Sequence, residues 1–137
     1  MGIKVLLDTN IVLDLFDNER SSSEKSLTKV KALLQHGDTL YVNSDTLTTA
    51  FYILRNQKKA SFEESLYAIQ ETMNICELIS IEIGDVNAAL ELCTNEECSD
   101  YEDALQYVCA KKIDAELIVT NDKRFVSLDV EICSTMS

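Results

Sequence analysis

Apolar positions along the chain change their spacing repeatedly, and each change marks an element. "IKVLL" at residues 3–7 is a short unbroken aliphatic run, the pattern of a strand buried on both faces. It stops at Asp8-Thr9-Asn10, which are turn and capping residues, and "IVLDLF" then predicts a first helix. "DNERSSSEKS" is the most polar stretch and predicts a loop. Ser21 and Glu24 have capping-box spacing and predict a helix through "KSLTKVKALLQH", closed by Gly37. "TLYVNS" predicts a second strand, and "DTLTTAFYILRN" a helix opening after Ser44. Ser61 and Glu64 repeat the capping box ahead of "FEESLYAIQETMNI", apolar at positions 62, 66, 69 and 73. "CELISIEI" predicts a third strand, and "DVNAALELCTN" a short helix behind Asp85. Ser99 and Glu102 have the same box spacing, followed by a stripe of Ala104, Leu105, Val108 and Cys109. "AELIVTND" predicts a fourth strand ending at Asp122, and "VEICS" a fifth.

Strands that alternate with helices predict an α/β sandwich with a mostly parallel sheet and right-handed crossovers. The 137 residues fit a single domain spanning 1–137, with no linker, repeat or proline. No stretch approaches the roughly 20 apolar residues of a membrane span. The apolar run at the start is short and broken by Asp8, unlike a signal peptide. Five cysteines, an odd number without a CxxC pair, read as free thiols of a reducing compartment, so the expected location is cytoplasmic. A single histidine argues against a zinc centre, and His36 beside Gly37 fits a helix C-cap interaction.

The formal net charge of -12 argues against coating nucleic acid by bulk attraction. It does not exclude nucleic acid as a substrate. Basic residues are grouped at Arg55, Lys58 and Lys59, at Lys111 and Lys112, and at Lys123 and Arg124. Each group fits either a solvated helix end or a local phosphate contact.

Chemistry points to the acids. In a parallel sheet, strand carboxyl ends and the helix starts that follow them share one rim, where ligands bind. Asp8 and Asp122 end predicted strands, and "SDYED" places Asp100, Glu102 and Asp103 at a helix start. Asp100 and Asp103, three apart, share a helical face, whereas Glu102 is placed to reach back to the Ser99 cap. Like charges crowded together cost stability unless protons or a cation compensate, and hard oxygen donors suit Mg2+ or Mn2+. Asp8 as a plain cap and Asp122 as a turn residue are the competing structural roles. No GxGxxG or GxxxxGK[ST] motif is present, so a glycine-loop nucleotide site is not indicated.

"LLDTNIVLDLF" at the start, and "SDYEDALQYVCAKKIDAELIVTND" with "KRF" after it, resemble the PIN domain, in particular the VapC-like toxins. The resemblance covers nearly the whole chain. It implies a three-layer α/β/α sandwich and a Mg2+- or Mn2+-dependent ribonuclease acting on RNA, with an antitoxin partner and a homodimer formed through helices. By the same resemblance Asp8, Asp103 and Asp122 match the catalytic, metal-binding acids, and Asp100 matches a supporting metal position. Asn10 and Thr120 match small polar residues that orient the acids or bind substrate phosphate. The pattern usually carries a further glutamate on the helix after the second strand, where this chain has Thr48, Thr49 and Ala50. Asp45, about one turn earlier, either caps that helix, the favoured reading, or stands in for the glutamate. The loss keeps open a second function, a catalytically impaired PIN-fold module that binds RNA or protein. The apolar-aromatic face of "TTAFYIL" with "SFEESLYAI" fits core packing or a partner surface.

Overall fold

The computed structural model describes residues 2–136. Five strands and six helices alternate: β1 (Lys4–Leu7), α1 (Thr9–Phe16), α2 (Ser23–His36), β2 (Thr39–Asn43), α3 (Ser44–Asn56), α4 (Phe62–Ile75), β3 (Cys76–Ile79), α5 (Ile83–Thr94), α6 (Tyr101–Lys112), β4 (Leu117–Val119) and β5 (Glu131–Cys133). The sheet order is β3-β2-β1-β4-β5, and every pairing is parallel.

Side-chain alternation along β1 builds the layers. Val5 and Leu7 point into one core with Ile11, Val12 and Leu13 of α1, Val30 and Leu33 of α2, Ala50 and Leu54 of α3, and Ala68 of α4. Leu6 points the other way, into a core with Ile118, Cys109, Ala110 and Phe125. A third cluster, Ala89, Cys98, Ala104 and Leu105, joins α5 to α6. Helices α1 to α4 therefore cover one face and α5 and α6 the other, which is the expected α/β/α sandwich. Because β1 is buried on both faces it reads as a continuous aliphatic run.

The chain leaves β1 in one direction through β2 and β3, and returns on its other side through β4 and β5. That reversal opens a crevice at the carboxyl ends of β1 and β4. The register Leu7↔Val119 places Asp8 beside Thr120 at the mouth of this crevice, and the Asp8 N–H donates to the Val119 carbonyl at 3.0 Å.

Several local expectations hold. Gly37 ends α2 in the left-handed conformation at φ 91°, where its lack of a Cβ removes the penalty. Ser61 and Glu64 form the reciprocal box of α4. His36 does not take part in the C-cap of α2 as expected: its Nδ1 contacts Asp38 Oδ1 at 3.0 Å, while the Gly37 N–H caps the Leu33 and Leu34 carbonyls. Four further expectations are corrected. The Ser21–Glu24 box is absent: Ser22 is the N-cap of α2 and makes no cap bond, because its hydroxyl donates to Asp14 instead. The Ser99–Glu102 box is absent too, since Asp100 caps α6 with its own carboxylate. Asp45 does not cap α3: the Asn43 side chain does, accepting from the Thr46 N–H. Helix α5 also opens earlier than Asp85, which lies in its first turn and reaches back to the Glu82 N–H.

All five cysteines are free; Cys76, Cys98 and Cys109 are buried, and Cys93 and Cys133 are half-buried. Burial pushes the Cys76 thiol up to about 12 and the Cys109 thiol to about 11, so both are inert at neutral pH. Among the described residues, no helix is long and apolar enough to cross a membrane.

Candidate metal centre

Asp8 follows β1 and starts α1. It is 3% exposed, yet no cation contacts it among the described residues. Its carboxylate is held by neutral donors only. Oδ1 accepts from the Thr9 N–H at 2.8 Å and from Gln106 Nε2 at 3.1 Å. Oδ2 accepts from Thr120 Oγ1 at 2.7 Å and from Asn10 Nδ2 at 3.1 Å. These bonds favour the charged form, but burial outweighs them, and the nearby Asp122 charge adds to it, so the Asp8 carboxyl sits above its ordinary range.

Asp103 lies in the first turn of α6, with its N–H bound to the Asp100 cap at 3.0 Å. Burial first, then the charges of Asp100, Asp8, Asp122 and Glu102, push its carboxyl up to about 7. Asp122 follows β4. Its Oδ1 accepts from the Arg124 N–H at 2.9 Å and lies 3.6 Å from the Arg124 guanidinium, whose side chain is 91% exposed. Asp100 is exposed, with one oxygen committed to the cap.

These groups line one cleft. A cavity of about 220 Å³ is bounded by Asp8, Asp100, Glu102, Asp103 and Asp122, together with Thr9, Asn10, Leu13, Thr49 and Ile53. Its lining holds five carboxylates and no lysine, arginine or histidine. A smaller recess of about 90 Å³ shares Asp100, Asp103 and Asp122 and adds Ser99 and Arg124. Among the described residues, no three acidic, imidazole or thiol side chains already form an ion cage. The carboxylates line the cleft without closing on a point, and the basic side chain beside them, Arg124, sits at the adjoining recess 3.6 Å from Asp122. This donor set of hard oxygens fits a bound divalent ion.

The residues expected from sequence therefore meet: Asp8, Asp100, Asp103 and Asp122 share the cleft, and Asn10 joins them. Thr120 is 2% exposed and lies behind the cleft lining, with its hydroxyl donated to Asp8. Thr49 is the α3 residue that faces the cleft where an acid was expected, while Asp45 stays outside the lining.

Two residues escaped the sequence reading. Gln106, 1% exposed on α6, donates to Asp8 Oδ1 and to Thr46 Oγ1 and accepts from Asn43 Nδ2 at 3.0 Å. It ties β1, β2, α3 and α6 together behind the acids. Its signal was its place on the buried side of α6, one turn after Asp103. Glu102, assigned to a cap, instead lines the cleft. Burial of its carboxylate end and the Asp8 charge raise its pKa, opposed by the Thr9 side chain.

The family described as PIN domain matches residues 4–124. The chain is 38% identical over 133 residues to Ribonuclease VapC1 of Aquifex aeolicus (strain VF5), covering 96% of this chain and 90% of that one. Among solved structures it is similar to VapBC2 from Rickettsia felis bound to a promoter DNA fragment, with TM-score 0.72, 21% identity, and 96% and 98% of the two chains covered. It is also similar to VapC20 of Mycobacterium tuberculosis, a toxin that cleaves the sarcin-ricin loop, with TM-score 0.71, 12% identity, and 88% and 92% covered. The strand order, the acids at the crevice and the match over most of the length make this chain a member of the PIN domain family.

Proposed function

We propose that this chain is a Mg2+- or Mn2+-dependent ribonuclease that hydrolyses RNA phosphodiester bonds, the toxin of a toxin–antitoxin pair. The observation that carries the reading is a cleft of five carboxylates with no basic side chain in its lining, in a chain 38% identical to a ribonuclease. Asp8, Asp103 and Asp122 would hold the ion, with Asp100 supporting it. A divalent ion bound there lowers the pKa of water and offsets charge on a phosphodiester. Thr120, Asn10 and Gln106 fix the Asp8 carboxylate through neutral hydrogen bonds, so its charge is kept for the ligand. Asn10 is the member of this group that also lines the cleft, within reach of a phosphate.

Basic side chains would hold the RNA backbone without reading sequence. Arg124 is placed for this at the smaller recess, and Lys123 is exposed beside it. Lys58 lies 3.4 Å from Asp17, and Lys59 is exposed next to it. Lys111 and Lys112 are engaged by Asp129 and Asp85, each at 2.8 Å, which removes them from the set. Tyr52, Phe62 and Tyr67 on α3 and α4 are each more than half exposed, beside a groove of about 740 Å³ lined by Leu15, Phe16 and Tyr67. That face is the proposed surface for the antitoxin or a second copy. A cytoplasmic location belongs to the same proposal, since it supplies RNA and keeps the five thiols reduced.

The test is incubation of purified protein with structured RNA, with Mn2+ and with EDTA. Cleavage that needs metal and falls at least a hundredfold in Asp8→Asn is the expected result, a loss of about 3 kcal/mol of transition-state stabilisation. Inertness of a folded protein toward several RNAs would replace the enzyme with a binding module.

A further inference from the structure

The two walls of the cleft are unequal. Helix α3 presents Thr49 and Ile53, neither of which can bind a cation strongly. Helix α6 presents Asp100, Glu102 and Asp103 from a single turn. Capping explains only Asp100, whose Oδ1 accepts the Asp103 N–H. An acid early in a helix is ordinarily satisfied by the macrodipole and by solvent. Glu102 departs from that: although much of the residue is exposed, it lines the cleft together with Asp8, and no basic side chain lines that cleft with it. With the cap filled by Asp100, nothing on α6 holds the Glu102 carboxylate back. Its side chain is one methylene longer than aspartate and lines the same cleft as Thr9 and Asp8.

We infer that Glu102 supplies a cation-binding carboxylate to this centre from α6, in place of an acid on α3, where Thr49 faces the same cleft. The inference rests on the metal-centre reading above and deepens it. It also explains how the centre keeps its charge although the α3 wall is neutral.

Mn2+ affinity, read from the paramagnetic resonance signal of the free ion, tests this without relying on activity. Glu102→Gln should weaken Mn2+ binding about tenfold without lowering the metal-free melting temperature, since the residue is exposed. Adding Thr49→Glu to that variant should restore most of the affinity, because the carboxylate returns from the facing wall. A Glu102→Gln protein that binds Mn2+ like wild type, or a double variant as weak as the single one, overturns the inference. Asp8→Asn measured alongside separates the two levels. If it loses Mn2+ and Glu102→Gln does not, only the role of Glu102 falls. If neither loses Mn2+, the metal centre itself falls.

Discussion

Two buried aspartates, six residues apart at opposite ends of α1, live in contrasting surroundings. Asp14 is 1% exposed and saturated. Its Oδ1 accepts from the Arg20 guanidinium at 2.6 Å and the Ser22 hydroxyl at 2.8 Å, and its Oδ2 from the Ser26 hydroxyl and from Asn121 Nδ2. Ser26 and Asn121 also bind Thr135, so the cluster clasps α1 and α2 to the end of the chain. Asp8 is equally hidden but has neutral donors only, and acids for neighbours. A carboxylate whose charge is cancelled within the chain serves the fold. One whose charge is left over is available to a ligand, and the protein bears a stability cost for it.

Asp14→Ala should break this comparison on the structural side with the largest effect. Removing one partner of a buried pair costs about 3 kcal/mol, a fall in Tm of about 10 °C for a chain of this size. Chemical denaturation would measure it. A loss under about 1 kcal/mol would place the cluster with ordinary surface pairs.

Gln106→Leu comes next. It leaves Asp8, Thr46 and Asn43 each short of a partner, at a cost of about 2 kcal/mol. If Gln106 positions Asp8, turnover should fall with little change in KM, and Mn2+ affinity should fall with it. Loss of stability with normal turnover per folded molecule would make it a packing residue only.

The smallest effect is the pH dependence of Asp103. Its folded pKa of about 7 lies above the ordinary 3.8, so the folded state binds the extra proton between those values. Metal-free stability from this group is therefore present at low pH and lost as pH rises toward 7. Asp103→Asn removes the ionisation. In EDTA the variant and wild type should melt together near pH 4, with the variant gaining by a few degrees at pH 7 and above. A constant gap across that range would show that Asp103 carries its charge without penalty.

The same contrast explains what could be read from the sequence. Aliphatic runs such as "KVLL" and "LIV" declared the buried strands, and their alternation with helices declared a parallel sheet, but the strand order came only with the structure. Asp8 and Asp122 were legible because a polar residue at the end of such a run lies at the sheet rim, and Asp103 because a helix start shares that rim. Asp14 was not, because one acid in an amphipathic helix looks solvated until its four donors, from residues 20 to 121, are assembled. Glu102 was misread because Ser99–Glu102 and Asp100–Asp103 offer the same spacing one residue apart. Local pattern cannot choose between them; the burial of Asp103 at 7% exposure does. The same ambiguity among Ser21, Ser22 and Ser23 was settled by Asp14, which draws in the Ser22 hydroxyl.

The pairing of β1 with β4 has a consequence for folding. The bond from Thr120 to Asp8 spans 112 positions, and the neighbouring Asp122 lies further along still. The edge strand that pairs with β4 lies at residues 131–133. Closing so long a loop costs entropy that only the finished sheet repays. The acids of the cleft should therefore come together late, in the same step that completes the sheet, and a partly folded chain would hold them apart.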